Sequence, residues 1–344
     1  MKYICCMDLS VSFIIPVFNR PDEIKELLDS FYKQQTQHLF EIVIIEDGSR
    51  ISCFSVVEEF IPKLNIKYLK KANTGPGDSR NYGMQHASGN FFVILDSDII
   101  LPKNYINQVL LFICTNNVHC FGGPDLAHDG FTNLQKAIDF TMTSFITTGG
   151  IRGGKKQIQT YEPRSFNMGI SKEVFLKTAG FANIHPGEDP DLSIRIQKLG
   201  YKTFYLAEAG VFHKRRISWK KFINQVYKFG LVRPILMKKH PETKKVSFFF
   251  PSIFSLFLVL AVLFSLFDFY YPLVLCLVYL FVVSLVSFIK LKSITISFYV
   301  IISTLIQFSG YGFGFINSFF FIHLLNKNPR SKFPFLFFKG EKQF

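Results

Sequence analysis

Asp96 and Asp98 stand one residue apart at the end of an apolar run, Phe91–Leu95 (FFVIL), and are followed by two isoleucines. Alternate residues of an extended chain lie on the same side, so both carboxylates can face one ligand. Hard divalent cations such as Mg²⁺ and Mn²⁺ take oxygen donors, usually one or two carboxylates completed by phosphate oxygens and water. The bland reading is two Asp residues capping a turn, and only the context decides. A second acidic group, Glu188, Asp189 and Asp191, precedes a helical pattern of Leu192, Ile194, Ile196 and Leu199. Acids at a helix start also complement the macrodipole and cap amide groups, a reading that stays open for Asp191.

The surrounding segments say where these groups sit. VSFIIPV (Val11–Val17) and EIVIIED (Glu41–Asp47) are short runs rich in β-branched residues and predict strands. Between them Pro21 opens a stretch in which Ile24, Leu27, Leu28 and Phe31 recur at helical spacing. Strand, helix and strand imply a parallel pair with a right-handed crossover. IKYLK (Ile66–Lys70) and FFVIL extend the sheet, with a helix over Asp78–Ala87 between them. The fold class is α/β, a mostly parallel open sheet flanked by helices, whose ligands gather at the carboxyl ends of the strands. Pro16, Phe18 and Asn19 follow the first strand, Asp47, Gly48 and Ser49 the second, and Asp96 and Asp98 the fourth. The loop Asn73–Gly77 (NTGPG) leads into the helix bearing Asp78, Arg80 and Asn81. Its glycines, Gly77 included, permit close backbone approach, and Arg80 offers a fork for an anionic group.

The carboxyl-terminal third has a different composition. From Val246 to Ile289 only Asp268 carries charge in 44 positions, and the 33 residues from Ser293 to Leu325 contain no Lys, Arg, Asp or Glu. About 20 apolar residues cross a bilayer core, so spans are expected at about 250–267, 271–289 and 294–312. Gly310, Gly312 and Gly314 interrupt the last stretch, which predicts a helix to about Ser309 followed by a Phe-rich interfacial segment, or a tight hairpin through the glycines. The domains expected are 1–229, catalytic; 230–245, a basic juxtamembrane linker; 246–325, membrane and interfacial helices; and 326–344, a basic tail. Eleven Lys and Arg against one Glu between Lys214 and Lys245 place that stretch, and with it the first domain, on the cytoplasmic side. The basic tail favours the same side, whereas three full spans put it outside, and the number of passes stays open. The formal charge of +14 is concentrated beside the membrane, where it suits anionic lipid headgroups rather than nucleic acid. Six cysteines at 5, 6, 53, 114, 120 and 276 lack ligand spacing and fit reduced thiols. Asp8 breaks the short apolar run after Lys2, so no signal peptide is expected.

SFIIPVFNR, EIVIIEDGS, NTGPGDSRNYGMQHASGNFFVILDSD, FNMGISKEVFLKTAGF and GEDPDLSIRIQKLG together resemble the family 2 glycosyltransferases, over about Val11 to Phe229. The resemblance implies a GT-A nucleotide-sugar-binding fold. It implies that Pro16, Phe18, Asn19 and Asp47 hold the nucleobase, and that Asp96 serves ribose and metal while Asp98 holds the metal, Mn²⁺ or Mg²⁺. Asp189 of the acid pair is then the general base, with Glu188 as runner-up, its pKa raised toward the working pH by burial. Asn167, Met168 and Gly169 resemble the acceptor-side strand, where a small residue lets substrate pass, although Gly169 also suits a strand bend. His213 in VFHKRR stands where some relatives have a third metal ligand, and equally suits a structural role. Arg215, Arg216 and Trp219 can close over diphosphate and acceptor. Gln225, Tyr227, Lys228 and Phe229 depart from the QxxRW motif of processive members, which argues against a cellulose- or hyaluronan-type synthase.

The function implied is an inverting, metal-dependent transfer of a sugar, by family frequency from a UDP-sugar, to a hydroxyl of a glycan or lipid-linked acceptor. The setting implied is cell-surface polysaccharide assembly at a bacterial inner membrane, by a multi-pass protein with membrane lipids as partners. A polyprenyl-phosphate sugar transferase and a non-catalytic nucleotide-sugar-binding scaffold are the alternatives.

Overall fold

A computed structural model describes residues 9–126, 130–148, 161–213 and 218–338, the side chain of His213 excepted. The chain divides into two compact units, the first formed by residues 1–128, 157–214 and 337–344 and the second by 129–156 and 215–336.

The first unit is the α/β fold expected. In chain order it runs β1 (Val11–Val17), α1 (Pro21–Tyr32), β2 (Phe40–Asp47), α2 (Phe54–Phe60), β3 (Ile66–Lys71), α3 (Pro76–His86), β4 (Phe91–Leu95), β5 (Ile99–Ile100), α4 (Tyr105–Asn116), β6 (Cys120–Gly122) and β7 (Asp125–Leu126). The next helices, α5 (Asn133–Thr143) and α6 (Phe145–Thr148), belong to the second unit. The first unit then resumes with β8 (Asn167–Ser171), α7 (Lys172–Thr178), α8 (Glu188–Lys198), β9 (Thr203–Tyr205) and β10 (Val211–His213).

The seven-stranded sheet has the order β3-β2-β1-β4-β8-β6-β9. β3, β2, β1 and β4 are parallel, as the strand–helix–strand spacing predicts, whereas β8 runs antiparallel to both β4 and β6. That reversal follows from the path of the chain. The chain leaves the sheet at the carboxyl end of β6, contributes α5 and α6 to the other unit, and enters β8 from that same end. β1 and β4 are buried along almost their whole length, consistent with helices on both faces of the sheet. One core cluster, around Phe13, Ile15, Leu27, Phe31, Ile44 and Val93, fills one face. Ile14, Val43, Ile45, Met84, Ile94 and Leu192 fill the other. Proline occupies the first position of α1 and of α3, where its missing N–H costs no helical bond.

Beyond β10 the second unit continues with α9 (Trp219–Lys239), α10 (Phe250–Ser265), α11 (Tyr271–Leu291) and α12 (Ile294–Phe319). Two helices are long and apolar enough to cross a membrane, Tyr271–Leu291 and the extension of α12 to Leu324; α10, with 16 residues, is shorter. The helix expected to stop near Ser309 does not stop there. α12 runs without a break through all three glycines and adds a π turn to Leu324. The glycines are contact positions. A Cβ on Gly314 would strike the Tyr227 carbonyl of α9, one on Gly310 would meet Val226, and one on Gly312 would meet Ser255 and Pro251 of α10. Small residues let backbones approach closely in apolar helix packing, and Gly230 of α9 returns the arrangement by lying against the Tyr311 carbonyl. Cys53, Cys120 and Cys276 are buried free thiols, as expected, whereas Cys114 is disulfide-bonded.

Candidate active site

β1, β2 and β4 end at one edge of the sheet, and the loops that follow carry the acidic residues. Asp47 closes β2 in register with Lys71 of β3. Its carboxylate is 4% exposed; Oδ1 accepts from Lys71 Nζ at 2.7 Å and from the Thr74 amide at 3.0 Å, and Oδ2 from the Gly75 amide at 3.0 Å. Asp47, expected at a nucleobase, thus shapes the loop 73–77. Glu46 faces the opposite side and accepts from Ser52, Tyr68 and the Cys53 amide. Burial would raise its pKa, but these hydrogen bonds outweigh it and hold the carboxylate below its ordinary range.

Pro16, expected after the first strand, lies within β1 and pairs with Ile45, while beyond the strand the Asn19 side chain accepts from the Arg50 and Ile51 amides at 2.7 and 3.1 Å. Asn19 thus joins two loops of the edge. Phe18 is 49% exposed and presents a free ring there, the arrangement that suits stacking on a flat heterocycle. Gly77, in the first turn of α3, passes close to Ala182 and Phe181; a Cβ on it would lie 3.3 Å from the Ala182 carbonyl.

Asp96 and Asp98 follow β4 and both carry an arginine. Asp98 pairs with Arg20, which is 44% exposed, and Asp96 Oδ1 accepts from Arg80 Nη2 at 2.9 Å. Both terminal nitrogens of Arg80 are engaged, since its Nη1 donates to Glu188 Oε1 at 3.1 Å, whereas its buried Nε has no partner. Arg80 is buried, with its guanidinium 5.3 Å from the ring centre of Phe181. Two carboxylates one residue apart, both paired with arginines, are a donor set that fits a hard divalent cation sharing the site with phosphate oxygens. Among the described residues no cluster of three or more His, Cys, Asp or Glu forms a complete cage. The backbone of His213 pairs antiparallel with Ile99, next to Asp98 in sequence; its side chain lies outside the described residues, as do Arg215 and Arg216.

Glu188 and Asp189 open α8, one position inside the helix rather than ahead of it, after Gly187 with φ of +120°. Their environments push them apart. Burial alone would raise Glu188, but His185, whose Nδ1 lies 2.9 Å from Glu188 Oε1, and then Arg80 hold it well below the carboxylate range. Asp189 moves the other way, pushed up to about 6 by burial and by the charge of Glu188. Asp189 Oδ1 is buried and accepts no hydrogen bond. Neighbouring carboxylates driven in opposite directions have distinct jobs. Glu188 is held as an anion, and Asp189 keeps one unbonded oxygen.

The expected acceptor-side residues are dispersed. Asp191 is fully buried and engages Arg195 Nε at 2.8 Å, while the same guanidinium holds the carbonyls of Thr178 and Gly180. It is part of the scaffold rather than presented to a substrate. Gly169 lies within β8 with the Phe121 ring where a Cβ would be, so its smallness is explained by packing across the sheet. Trp219 belongs to the second unit, edge-on to Tyr299 at 6.0 Å. The sequence reading missed Lys71, His185 and Arg20. Lys71 was recoverable from strand register with Asp47; His185 and Arg20 left no local signal.

Residues 12–177 match the family model described as glycosyl transferase family 2. That stretch, just under half of the chain, is similar to the family 2 glycosyltransferases. An uncharacterized glycosyltransferase of Haemophilus influenzae is 28% identical over 219 residues, covering 60% of this chain and 70% of the relative. The poly(ribitol-phosphate) beta-N-acetylglucosaminyltransferase TarS of Staphylococcus aureus is 34% identical over 108 residues, 30% of this chain. The chain spans less than a fifth of the length of TarS and of the Rickettsia glycosyltransferases it also matches. Among solved structures, the mannosyltransferase PcManGT from Pyrobaculum calidifontis, in complex with GDP-Man and Mn²⁺, superposes with a TM-score of 0.51 at 18% identity, over 64% of this chain and 62% of that one. That likeness shows that the first unit has the GT-A fold.

Proposed function

We propose that this protein is an inverting, metal-dependent glycosyltransferase that moves a sugar from a nucleotide-sugar, by family frequency a UDP-sugar, to a hydroxyl of a membrane-associated glycan or lipid-linked acceptor. The observation that carries this reading is the divided acid pair. Asp189 is near neutral pKa with one unbonded oxygen, and Glu188 is locked as an anion beside it. As the acceptor hydroxyl attacks the sugar C1, its proton passes to Asp189. The C1–O bond to the diphosphate breaks with its electron pair on the departing nucleoside diphosphate, and the anomeric centre inverts. A divalent cation between Asp96 and Asp98 would supply Lewis-acid stabilisation of the charge on that leaving group. Phe18 offers a face for the base, and the loop 73–77 shaped by Asp47 borders the donor. TarS, named as an N-acetylglucosaminyltransferase, and PcManGT, solved with GDP-Man and Mn²⁺, support donor class and metal.

Two helices long and apolar enough to cross a membrane support an acceptor that stays with the bilayer, as in cell-surface polysaccharide assembly. The test is release of nucleoside diphosphate by detergent-purified protein across UDP-, GDP- and dTDP-sugars, with Mn²⁺ or EDTA. Metal-dependent release that Asp98→Ala abolishes supports the reading. Transfer to a polyprenyl phosphate that survives Asp189→Asn would replace it with the phosphate-acceptor alternative, because a phosphate needs no base.

A further inference from the structure

The chain re-enters the first unit at Phe337, after the last residue of the helical unit. Phe338 is held there by one side chain, Asn183. The Asn183 amide donates from Nδ2 to the Phe338 carbonyl at 2.8 Å and accepts from the Phe338 N–H at Oδ1 at 2.7 Å. Both backbone groups of one residue are thereby paired by a single amide, the two-bond pattern of a strand partner, which fixes that residue in place and direction.

The ring so placed touches two loops. On one side it lies against Gly75, where a Cβ would fall inside the ring; Gly75 has φ of +95° and donates its amide to Asp47. On the other side it meets the His185 ring, 6.2 Å between centres at 47°, and His185 is the partner of Glu188. Phe338, Thr74, Gly77, Asp78, Ile184 and His185 line one small cleft. The loop 73–77 and the loop that delivers the acid pair are thus braced by one aromatic side chain, 155 residues beyond Asn183 in the second of them.

We propose that Phe338 is a positioning residue: clamped by Asn183, its ring holds the loops 73–77 and 182–187 at the separation the reaction requires. Through them the carboxyl-terminal segment sets the activity of the domain. Nothing in the ring touches the reacting atoms; it acts through Gly75 and His185. This inference rests on the glycosyltransferase reading only for its kinetic readout.

The experiment compares full-length wild type with Phe338→Ala, Phe338→Leu, Asn183→Ala and the double variant Phe338→Ala/Asn183→Ala. Two readouts are taken, hydrogen–deuterium exchange and steady-state turnover of the donor identified by the nucleotide-release panel. Phe338→Ala and Asn183→Ala should each speed exchange in 73–77 and 182–187 while leaving β1, β2 and β4 protected. Each should raise the donor KM about tenfold or more, since small displacements of a positioned group cost up to about a hundredfold. The double variant should be no worse than either single one, because the two residues act as a unit, and Phe338→Leu should recover most of the loss. Unchanged exchange in both loops, or additive losses in the double variant, would overturn the proposal. Absence of turnover in wild type with every donor would instead count against the glycosyltransferase reading, and loop exchange would still decide the role of Phe338.

Discussion

Asp96 and Glu188 share one guanidinium: Arg80 donates to the first at 2.9 Å and to the second at 3.1 Å. The carboxylate expected at the metal and the anion beside the base are therefore coupled through a buried cation. Charge arriving at one end alters the field at the other.

Removing that cation has two readable effects. Arg80→Ala leaves Asp96 without its guanidinium and Glu188 with His185 alone, and breaking a buried pair on one side typically costs about 3–5 kcal/mol. Denaturant unfolding of the detergent-solubilised variant should show a loss of that order. The charge of Arg80 also lowers the pKa of Asp189, so any residual turnover should show its acid limb displaced to higher pH. A variant with wild-type stability and an unmoved limb would contradict the coupling.

If Asp189 is the base, as proposed, it governs the pH profile. With its pKa pushed up to about 6, kcat should be flat above pH 7 and fall about tenfold per unit well below pH 6, as the base is protonated. Glu188, held low, adds no second limb in that range. Stability runs with the opposite sign. A carboxyl whose pKa rises on folding stabilises the fold while protonated, and that contribution is lost as pH rises from its ordinary 3.8 through about 6. Asp189→Asn should therefore abolish transfer to a hydroxyl yet unfold at a higher temperature than wild type at pH 7.5, by at most about 3 kcal/mol, with the gain vanishing near pH 4. Thermal melts at the two pH values check the sign.

Asp98 separates metal binding from folding. Its pair with Arg20 is partly exposed, 44% and 14% for the two side chains, and such surface pairs contribute about 0–1 kcal/mol. Asp98→Asn should melt within a few degrees of wild type while losing about a hundredfold or more of Mn²⁺-stimulated turnover. A Mn²⁺ titration of nucleotide release distinguishes lost affinity from lost structure.

In the helical unit, Gly314→Leu places a side chain against the Tyr227 carbonyl of α9. Overpacking of this kind costs about 1–3 kcal/mol or more when backbone must move. Size-exclusion chromatography in detergent should show aggregated or expanded protein, whereas Phe313→Leu, at an exposed position one residue away, should behave as wild type.

Sequence alone placed the strands β1 to β4, the two acidic groups and the apolar helices α10 to α12, because each is written in local periodicity. A buried strand, an amphipathic helix and a bilayer-length run show themselves within a few turns of chain. The continuity of α12 escaped that reading. Gly310, Gly312 and Gly314 look like helix breakers until α9 and α10 are known to press against them. Pairing between distant residues was equally hidden. Arg80 and Glu188 are 108 residues apart, and Asn183 and Phe338 are 155 apart. Tertiary structure alone decided that Asp47 serves its loop, that Asp191 is spent on Arg195, and that Asp189 keeps an unbonded oxygen. The physical reason is that a carboxylate's role follows from which donors reach it and how much water is excluded. Those conditions exist only after the chain has closed on itself.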